Sequence, residues 1–200
     1  MDYFPILIKL AGRRVLVCGS NDEAVFKIRL LLKSSAEIVV FGTPTKKHIK
    51  QWSEKGLIQY NNRLVEERDC NNIAFAYVTL KKGTERNATL RVLSKKTIPY
   101  CVVDDKLHSN FITPSIVDRN PVTVAIGSEG TAPALVRHIK AQIENILPQQ
   151  TGLVARITGA FRPFVYRLPK SHVRRHFWTR FFNQAKSQIF SQSSTQDLET

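Results

Sequence analysis

The sequence lacks any apolar run as long as the roughly 18 residues that a membrane-spanning helix needs. It also lacks, near its beginning, the basic stretch followed by an apolar core that is typical of a secretion signal. Both absences favour a cytoplasmic protein with no segment inserted in a membrane. Hydrophobic residues make up 42% of the 200 positions, which is enough for a real core.

Cysteine and histidine are scarce and are not spaced as metal ligands. The three cysteines, Cys18, Cys70 and Cys101, form no C-x-x-C pair. Cys18 and Cys101 lie inside apolar runs, where a small hydrophobic side chain fits, so we predict that both are buried and reduced. The five histidines also lack the spacing of a metal site. The sequence therefore predicts no metal ligand.

Acidic residues are almost absent from the C-terminal third of a chain whose net charge is +14. Between positions 130 and 190 the single acid is Glu144, against ten basic residues: Arg137, Lys140, Arg156, Arg162, Arg167, Lys170, Arg174, Arg175, Arg180 and Lys186. Such an excess attracts an anionic partner. Nucleic acid, an anionic membrane surface and a polycarboxylate metabolite all fit, and charge alone does not separate them.

The apolar runs that are present alternate with helical patterns. Helical patterns separate the first four of five strand-like runs, which lie at 14–18, 37–41, 73–79, 100–103 and 122–126. This alternation predicts an α/β protein with a Rossmann-like, mostly parallel sheet. Thr43 and Pro44 have the pattern of a helix start, with the proline in the first turn.

The alternation of strand and helix patterns ends after residue 110. Two short apolar runs separated by "DRNP" favour an antiparallel hairpin over another β-α-β unit. A helix with Leu135, Ile139, Ile143 and Ile146 on one face should follow and stop at Pro148. The next residues, 151–190, suggest a small helical region broken by two prolines, Pro163 and Pro169, and the last ten residues resemble a disordered tail.

Polar residues follow three of the strand-like runs, where ligands bind in an open parallel sheet. Gly19 to Asn21 follow the first run, Asp104 follows the fourth and Ser128 follows the fifth. A desolvated Asp104 carboxylate could act as a general acid or base, or it could cap the next turn together with Asp105. Ser128, in "GSEGT", could present backbone N–H groups to an anion or only cap a helix. His108, four residues beyond Asp104, is the histidine we expect at this crevice.

Several longer strings resemble one known family. They are "MDYFPILIKLAGRRVLVCG" at the start, "VVDD" at 102–105, "FITPSIVDRNPVTVAI" at 111–126, "GSEGTAPALVRHIK" at 127–140, and "ARITGAFR" with "RRHFWTRFF" near the end. Over residues 1–185 the chain resembles the precorrin-2 dehydrogenase and sirohydrochlorin ferrochelatase family, which also forms the N-terminal half of the fused bacterial siroheme synthase.

The resemblance implies a division of the chain and a reaction. It implies a Rossmann-like NAD-binding domain at 1–112, a dimerisation segment at 113–150 and a helical domain at 151–190, with a probable disordered tail at 191–200. In this family a homodimer oxidises precorrin-2 to sirohydrochlorin by hydride transfer to NAD, and Fe2+ then enters as the chelation substrate. Precorrin-2 and sirohydrochlorin carry carboxylate arms that the basic residues would attract, so nucleic acid becomes an unlikely partner.

The resemblance also implies roles for individual residues. The family's essential aspartate falls on Asp104. The implied cofactor-binding positions are Gly19, Ser20, Asn21, Asp22, Glu23, Thr43, Pro44 and Thr79. The implied substrate-binding positions are Ser128, Gly130 and Thr131, with His108 added from its place near Asp104.

The glycine loop departs from the family pattern. Only Gly19 of the expected G-x-G-x-x-G/A is a glycine. Asn21 places a side chain where the protein backbone would approach the pyrophosphate, and Glu23 adds a negative charge. No acid follows the second strand to bind ribose hydroxyls. Two alternatives therefore stay open: a diverged member that binds tetrapyrrole or inserts metal with impaired NAD binding, and a non-enzymatic protein that holds nucleic acid or another anion.

Overall fold

The computed structural model describes residues 1–43 and 46–190, and their side chains as far as residue 185. The chain forms two compact units, Met1–Thr113 and the residues from Pro114 onward, and each is described by itself. Pro44 and the tail expected at 191–200 lie outside the described residues. The division at 112, 150 and 190 stays a prediction.

The first unit is built on a five-stranded parallel sheet in the order β3-β2-β1-β4-β5. The strands are β1 Arg14–Cys18, β2 Glu37–Phe41, β3 Gln59–Asn61, β4 Ile73–Val78 and β5 Tyr100–Val102. The helices are α1 Asp22–Leu31, α2 Lys47–Glu54 and α3 Thr84–Lys95, with 3-10 turns at Glu67–Asp69 and Lys106–His108. The predicted Rossmann-like parallel sheet is therefore confirmed.

Buried apolar side chains cover both faces of this sheet. On one face Val15 and Val17 of β1 pack with Ile28 of α1 and Ile49 of α2, while on the other Leu16 packs with the layer that includes Leu93 of α3. Central strands of a parallel sheet are covered on both faces, which explains their continuous apolar runs. Cys18 and Cys101 are buried free thiols, as expected, and burial raises the pKa of both.

Two details of the first unit differ from expectation. Strand β3 has only three residues, Gln59–Asn61, at the edge of the sheet, so it has no apolar run that could be recognised. Helix α2 begins at Lys47, three residues after the proline that we expected in its first turn. Lys46 caps it without a side-chain hydrogen bond, so the local signal for its first residue is weak.

The second unit begins with the predicted antiparallel hairpin. Strands β6 Ser115–Arg119 and β7 Val122–Ile126 pair with Arg119 opposite Val122. Helices α4 Pro133–Ile146, α5 Thr151–Tyr166 and α6 Ser171–Phe190 follow. The α5 backbone approaches the hairpin turn so closely at Gly152 that a Cβ there would collide with two carbonyl oxygens, those of Arg119 and Asn120.

The prediction that Pro163 breaks the helical region was wrong. Helix α5 runs through Pro163 to Tyr166, and the break falls at the residues around Pro169. A proline inside a helix removes one hydrogen bond to the carbonyl four residues earlier, here that of Gly159. Both positions are exposed, so water can solvate that carbonyl and the 16-residue helix tolerates the loss.

Over residues 1–43 and 46–190, no helix is both long enough and apolar enough to cross a membrane.

Candidate functional site

Four strand ends line up along the carboxyl edge of the parallel sheet. The N–H of Gly19 donates to Phe41 O at 2.6 Å, that of Thr79 to Cys18 O at 2.8 Å and that of Val103 to Val78 O at 2.9 Å. These bonds connect the ends of β2, β1, β4 and β5 in turn. The residues that leave the sheet at this edge are Gly42, Gly19, Thr79 and Asp104, in that order. The order in which successive strands are added to the sheet reverses between β1 and β4. Rossmann-like sheets bind ligands at this point.

The backbone at the end of β1 requires glycine. Gly19 has φ +128°, and a Cβ there would collide with the hydroxyl of Thr79. Gly42 has φ +151°, and a Cβ there would lie 3.1 Å from the Cα of Gly19. Because neither residue carries a side chain, the two loops can approach each other closely. This feature matches the first glycine of a dinucleotide-binding turn.

Asn21 ties the start of α1 to the end of β4. Its Oδ1 accepts the N–H of Ala24 at 3.0 Å, and its Nδ2 donates to Thr79 O at 2.8 Å. Its φ of −85° needs no left-handed conformation. The side chain that we expected to hinder a pyrophosphate is therefore bonded inward, as an N-cap and as a link between two strand ends.

Charge at the start of α1 is partly neutralised. Asp22 and Glu23 are both exposed in the first turn, where an anion would otherwise meet the positive end of the helix dipole. Lys46, just before α2, pairs with Asp22 at 3.0 Å. Both partners are well exposed, so salt screens this pair. Glu23 forms no ion pair within residues 1–43 and 46–185, so its charge would oppose a phosphate at this helix start.

The remaining cofactor-binding candidates divide between the interior and the surface. Ser20 and Thr79 are buried, and Thr43 is exposed after β2. The glycine pair, the strand order and the inward Asn21 fit a dinucleotide, and the two first-turn acids are the features that oppose one. The residues at this edge that could hold a dinucleotide are those of the Gly19–Asn21 turn, with Thr79 and Thr43.

Asp104 is presented at the same edge of the sheet. It follows β5 by two residues, is exposed, and has a left-handed backbone with φ +59°. We expected this carboxylate to be desolvated in a crevice. Within the first unit that expectation was wrong, because Asp104 lies in an exposed turn outside the β5 core. Asp104 does not cap the next turn, since Asp105 has that role: its Oδ1 accepts the N–H of His108.

A buried ion pair supports this turn. Asp105 is 10% exposed and contacts Nη2 of Arg86, whose side chain is 7% exposed in α3. His108 Nδ1 lies 2.9 Å from Asp105 Oδ1. The hydrogen bond from His108 and then that from Arg86 lower the pKa of Asp105 to about 2, so its carboxylate is ionised at neutral pH.

Arg86 is the functional residue that the sequence reading missed. It lies four and seven residues before Leu90 and Leu93, so it shares the inward face of α3 with them. An arginine at a core-facing helical position needs an acidic partner. The spacing of Arg86 from Leu90 and Leu93 could therefore have predicted a buried ion pair from the sequence. Its Nε has no hydrogen-bond partner within the described part of the chain.

Ser128, Gly130 and Thr131 belong to the second unit and not to the edge of the parallel sheet, where we had placed Ser128. They follow β7 of the hairpin, because the fifth apolar run pairs with β6. The Ser128 Oγ accepts the N–H of Ala132 at 3.1 Å, and the N–H of Thr131 donates to Ser128 O at 2.9 Å. Gly130 has φ +78°. This loop is a tight turn that leads into α4.

No group of three or more His, Cys, Asp or Glu side chains in the described ranges is arranged to hold a metal ion.

Comparison with known proteins gives two family matches. Residues 6–115 match the family described as "Putative NAD(P)-binding", and residues 150–200 match the sirohaem synthase dimerisation region. The siroheme synthase of Photorhabdus laumondii is 33% identical over the whole chain, which spans 43% of that relative. The siroheme synthase of Neisseria meningitidis serogroup B is 38% identical over 92% of the chain, which spans 38% of that relative.

Among solved structures, SirC, described as a precorrin-2 dehydrogenase, superposes with a TM-score of 0.64 at 23% sequence identity. The match covers 87% of this chain and 86% of SirC, and it supports the fold. The chain spans about two fifths of the length of the siroheme synthases it matches. The NAD(P)-binding match covers more than half of the 200 residues and coincides with the parallel sheet and its Gly19 turn. The chain therefore belongs to this NAD(P)-binding family.

Proposed function

We propose that the chain oxidises precorrin-2 to sirohydrochlorin with NAD as the hydride acceptor, as a step of siroheme biosynthesis. The observation that carries the proposal is the alignment of Gly19, Thr79 and Asp104 along one edge of a dinucleotide-binding sheet. In this proposal the Asp104 carboxylate and the nucleotide turn share one edge of the sheet, two strands apart. The similarity to siroheme synthases and to SirC supports the choice of substrate.

In the proposed reaction the substrate loses a hydride and a proton. Bound NAD supplies the hydride acceptor. The exposed Asp104 carboxylate accepts the proton as general base. Asp105, Arg86 and the hydroxyl of Ser109 hold the turn that carries it, since Ser109 Oγ accepts the Val102 N–H at 2.9 Å and donates to Asp105 O at 2.7 Å.

The nucleotide-binding part of the proposal depends on the turn at Gly19. Asn21 and Thr79 fix its backbone, which leaves the start of α1 to meet the phosphates. Exposed Glu23 should weaken this contact. We expect saturable but modest NAD binding that tightens in Glu23→Gln, measured by titration of the purified chain. No NAD binding, together with tight sirohydrochlorin binding, would favour the diverged alternative that retains tetrapyrrole binding or metal insertion.

The catalytic part is tested with Asp104→Asn. We expect turnover of precorrin-2, followed by absorbance, to fall about 100-fold or more while the fold is retained, in line with the usual loss of a general base. Glu54→Gln removes an exposed carboxylate at the end of α2 and is the matched control. Unchanged turnover in Asp104→Asn would remove this residue from the mechanism.

The proposed substrate contacts are His108, Ser128, Gly130 and Thr131. Ser128 and Thr131 offer hydroxyls and Gly130 permits close backbone approach, all suited to carboxylate arms. Ser128→Ala should raise the KM for precorrin-2 and change kcat little. Iron insertion is a further prediction, with Fe2+ as substrate, and is tested by the absorbance of siroheme when Fe2+ and sirohydrochlorin are supplied.

The proposed assembly is a homodimer, and a cytoplasmic location stays a prediction. The region that matches the dimerisation family includes α5, which exposes Leu153, Phe161 and Phe164 by 54%, 53% and 61%. Exposed apolar side chains on one helix favour a partner surface. Phe161→Glu should convert a dimer to a monomer in light scattering, whereas Phe26→Glu on α1, which is also exposed, should not. A Phe161→Glu dimer would mean that another surface pairs the subunits.

A further inference from the structure

The contact between Asp105 and His108 defines the position of the imidazole ring. His108 Nδ1 lies 2.9 Å from Oδ1 and 3.0 Å from Oδ2 of Asp105, and the His108 backbone N–H donates to the same carboxylate at 3.3 Å. The carboxylate is 10% exposed, whereas the imidazole is 58% exposed. One edge of the ring is therefore held against the protein while the rest of the ring remains accessible to solvent.

The charge of Asp105 decides which ring nitrogen carries the proton. Arg86 and His108 keep the pKa of this carboxyl low, so it is ionised and can only accept hydrogen bonds. A neutral His108 must then donate Nδ1–H to Asp105, and its Nε2 carries the lone pair. A carboxylate that orients an imidazole in this way is the arrangement that prepares histidine to accept a proton.

His108 and Asp104 belong to one short turn. The turn is closed by the bond from Asp105 N–H to Val102 O at 3.2 Å and by the two bonds of the Ser109 hydroxyl. The left-handed backbone of Asp104 lies between these closures, and its carboxylate is exposed, as is the His108 ring. Asp104, Lys106 and His108 are the exposed titratable side chains of this turn, and of these Asp104 and His108 can accept a proton.

We propose that His108 is a second proton-transfer residue, whose Nε2 receives from the Asp104 carboxyl the proton lost by the substrate and passes it to water. The inference rests on the proposed function. The substrate loses two hydrogens: the hydride goes to the oxidised nicotinamide, and the proton goes to Asp104, then to His108, then to solvent. Asp104 returns to its ionised form, and no other reactant is needed.

Charged groups of the same turn and of α3 surround the contact between His108 and Asp105. Asp105 of the same turn faces Nδ1, and Arg86 of α3 lies behind Asp105. Lys106, in the same 3-10 turn, reaches the ring of Tyr3 in the N-terminal segment, with 5.2 Å between Nζ and the ring centroid. Arg86 partly offsets the charge of Asp105, so the ion pair orients the imidazole without leaving a full negative charge beside it.

The decisive variant is His108→Asn, because the asparagine amide can still donate to Asp105 but cannot accept a proton from Asp104 at pH 7. We expect kcat to fall about 10-fold to 100-fold, with a much smaller rise in the KM for precorrin-2 from the lost substrate contact. The pH profile of kcat should also differ between wild type and variant, because only the wild type carries an imidazole in this turn. Added imidazole should restore part of the lost kcat. His48→Asn on α2 is the matched control and should keep full activity.

The outcomes separate this inference from the function on which it rests. A wild-type chain without precorrin-2 turnover would overturn the proposed function itself. Wild-type turnover that is lost in Asp104→Asn but retained in His108→Asn, with an unchanged pH profile, would overturn the role of His108 alone. A raised KM with unchanged kcat would also overturn it, since His108 would then only bind a substrate carboxylate. Asp105→Asn, which leaves the imidazole in place but weakens its orientation, should give an intermediate kcat.

Discussion

Gly19 is the residue at which the nucleotide turn depends most directly on the absence of a side chain. Its φ of +128° and its contact with the Thr79 hydroxyl each disfavour a Cβ. Gly12 has a comparable left-handed backbone, φ +71°, with no atom within 4 Å of a Cβ built there. Gly12 therefore reports the cost of left-handed backbone alone, whereas Gly19 combines a more strained backbone with a close contact.

Gly19→Ala should destabilise the chain by about 3 kcal/mol or more, because it adds overpacking to backbone strain. Gly12→Ala should lose about 1–2 kcal/mol from backbone strain alone. Urea unfolding of the full chain measures both values. Equal losses for the two variants would show that the contact with Thr79 has no energetic consequence.

Ionisation of the Asp105 carboxyl should make the chain more stable at neutral pH than at acid pH. Its folded-state pKa of about 2 is below its ordinary value of 3.8, so its stabilising effect is complete above pH 3.8 and is lost as pH falls towards 2. Asp105→Asn should be less stable at pH 7 and should lose less stability than the wild type between pH 4 and 2. Urea midpoints across this range provide the measurement, with Glu54→Gln as control. Parallel curves for wild type and Asp105→Asn would contradict the assignment.

At the scale of elements, helix α1 is connected to the sheet through one side chain. Asn21 satisfies the Ala24 N–H at the start of the helix and the Thr79 carbonyl at the end of β4. A serine can perform the first function and not the second. The position therefore allows the capping bond and the strand bond to be measured separately.

Asn21→Ala should destabilise the chain by about 1–2 kcal/mol through loss of the cap, plus about 1 kcal/mol for the bond to Thr79. Asn21→Ser should recover the capping part. Hydrogen exchange of the first α1 amides together with urea unfolding checks this expectation. If Asn21→Ser were as unstable as Asn21→Ala, the cap would contribute nothing.

Elements were predictable from sequence where local pattern decides the structure. The runs that became β1, β2, β4 and β5 are apolar and bounded by polar residues, so their existence could be inferred. Strand β3 could not, because Gln59–Asn61 becomes a strand only by pairing with β2 at Val39–Phe41. The prediction of a helix break at Pro163 was wrong because a proline interrupts a helix only where the freed carbonyl is not solvated. Solvation of that carbonyl is a property of the folded surface.

At the scale of the whole molecule, the basic excess should guide an anionic substrate. The C-terminal third carries ten basic residues and one acid between positions 130 and 190. A substrate with several carboxylates interacts with such a surface through long-range attraction that salt screens.

Raising NaCl from about 50 to about 300 mM should increase the KM for precorrin-2 by roughly 3-fold to 10-fold and change kcat less than about 2-fold. Replacing exposed Arg175 and Arg180 of α6 by glutamine should reduce this salt dependence. The matched pair Lys50→Gln and Lys55→Gln, exposed in the first unit, should leave it unchanged. Steady-state kinetics at several salt concentrations decide the matter, and a salt-independent KM would exclude electrostatic guidance.

The sequence by itself determined the α/β class, the hairpin, the run of helices, the buried thiols and the position of Asp104 after a strand, because each follows from local periodicity or from the order of residues along the chain. Only the tertiary structure decided the strand order, the alignment of Gly19 with Thr79 and Asp104, and the pairing of the strand before Ser128 with β6 instead of the parallel sheet. It also revealed the contact between Arg86 and Asp105, 19 residues apart. These features depend on which distant segments pack together, and a local pattern does not encode that choice.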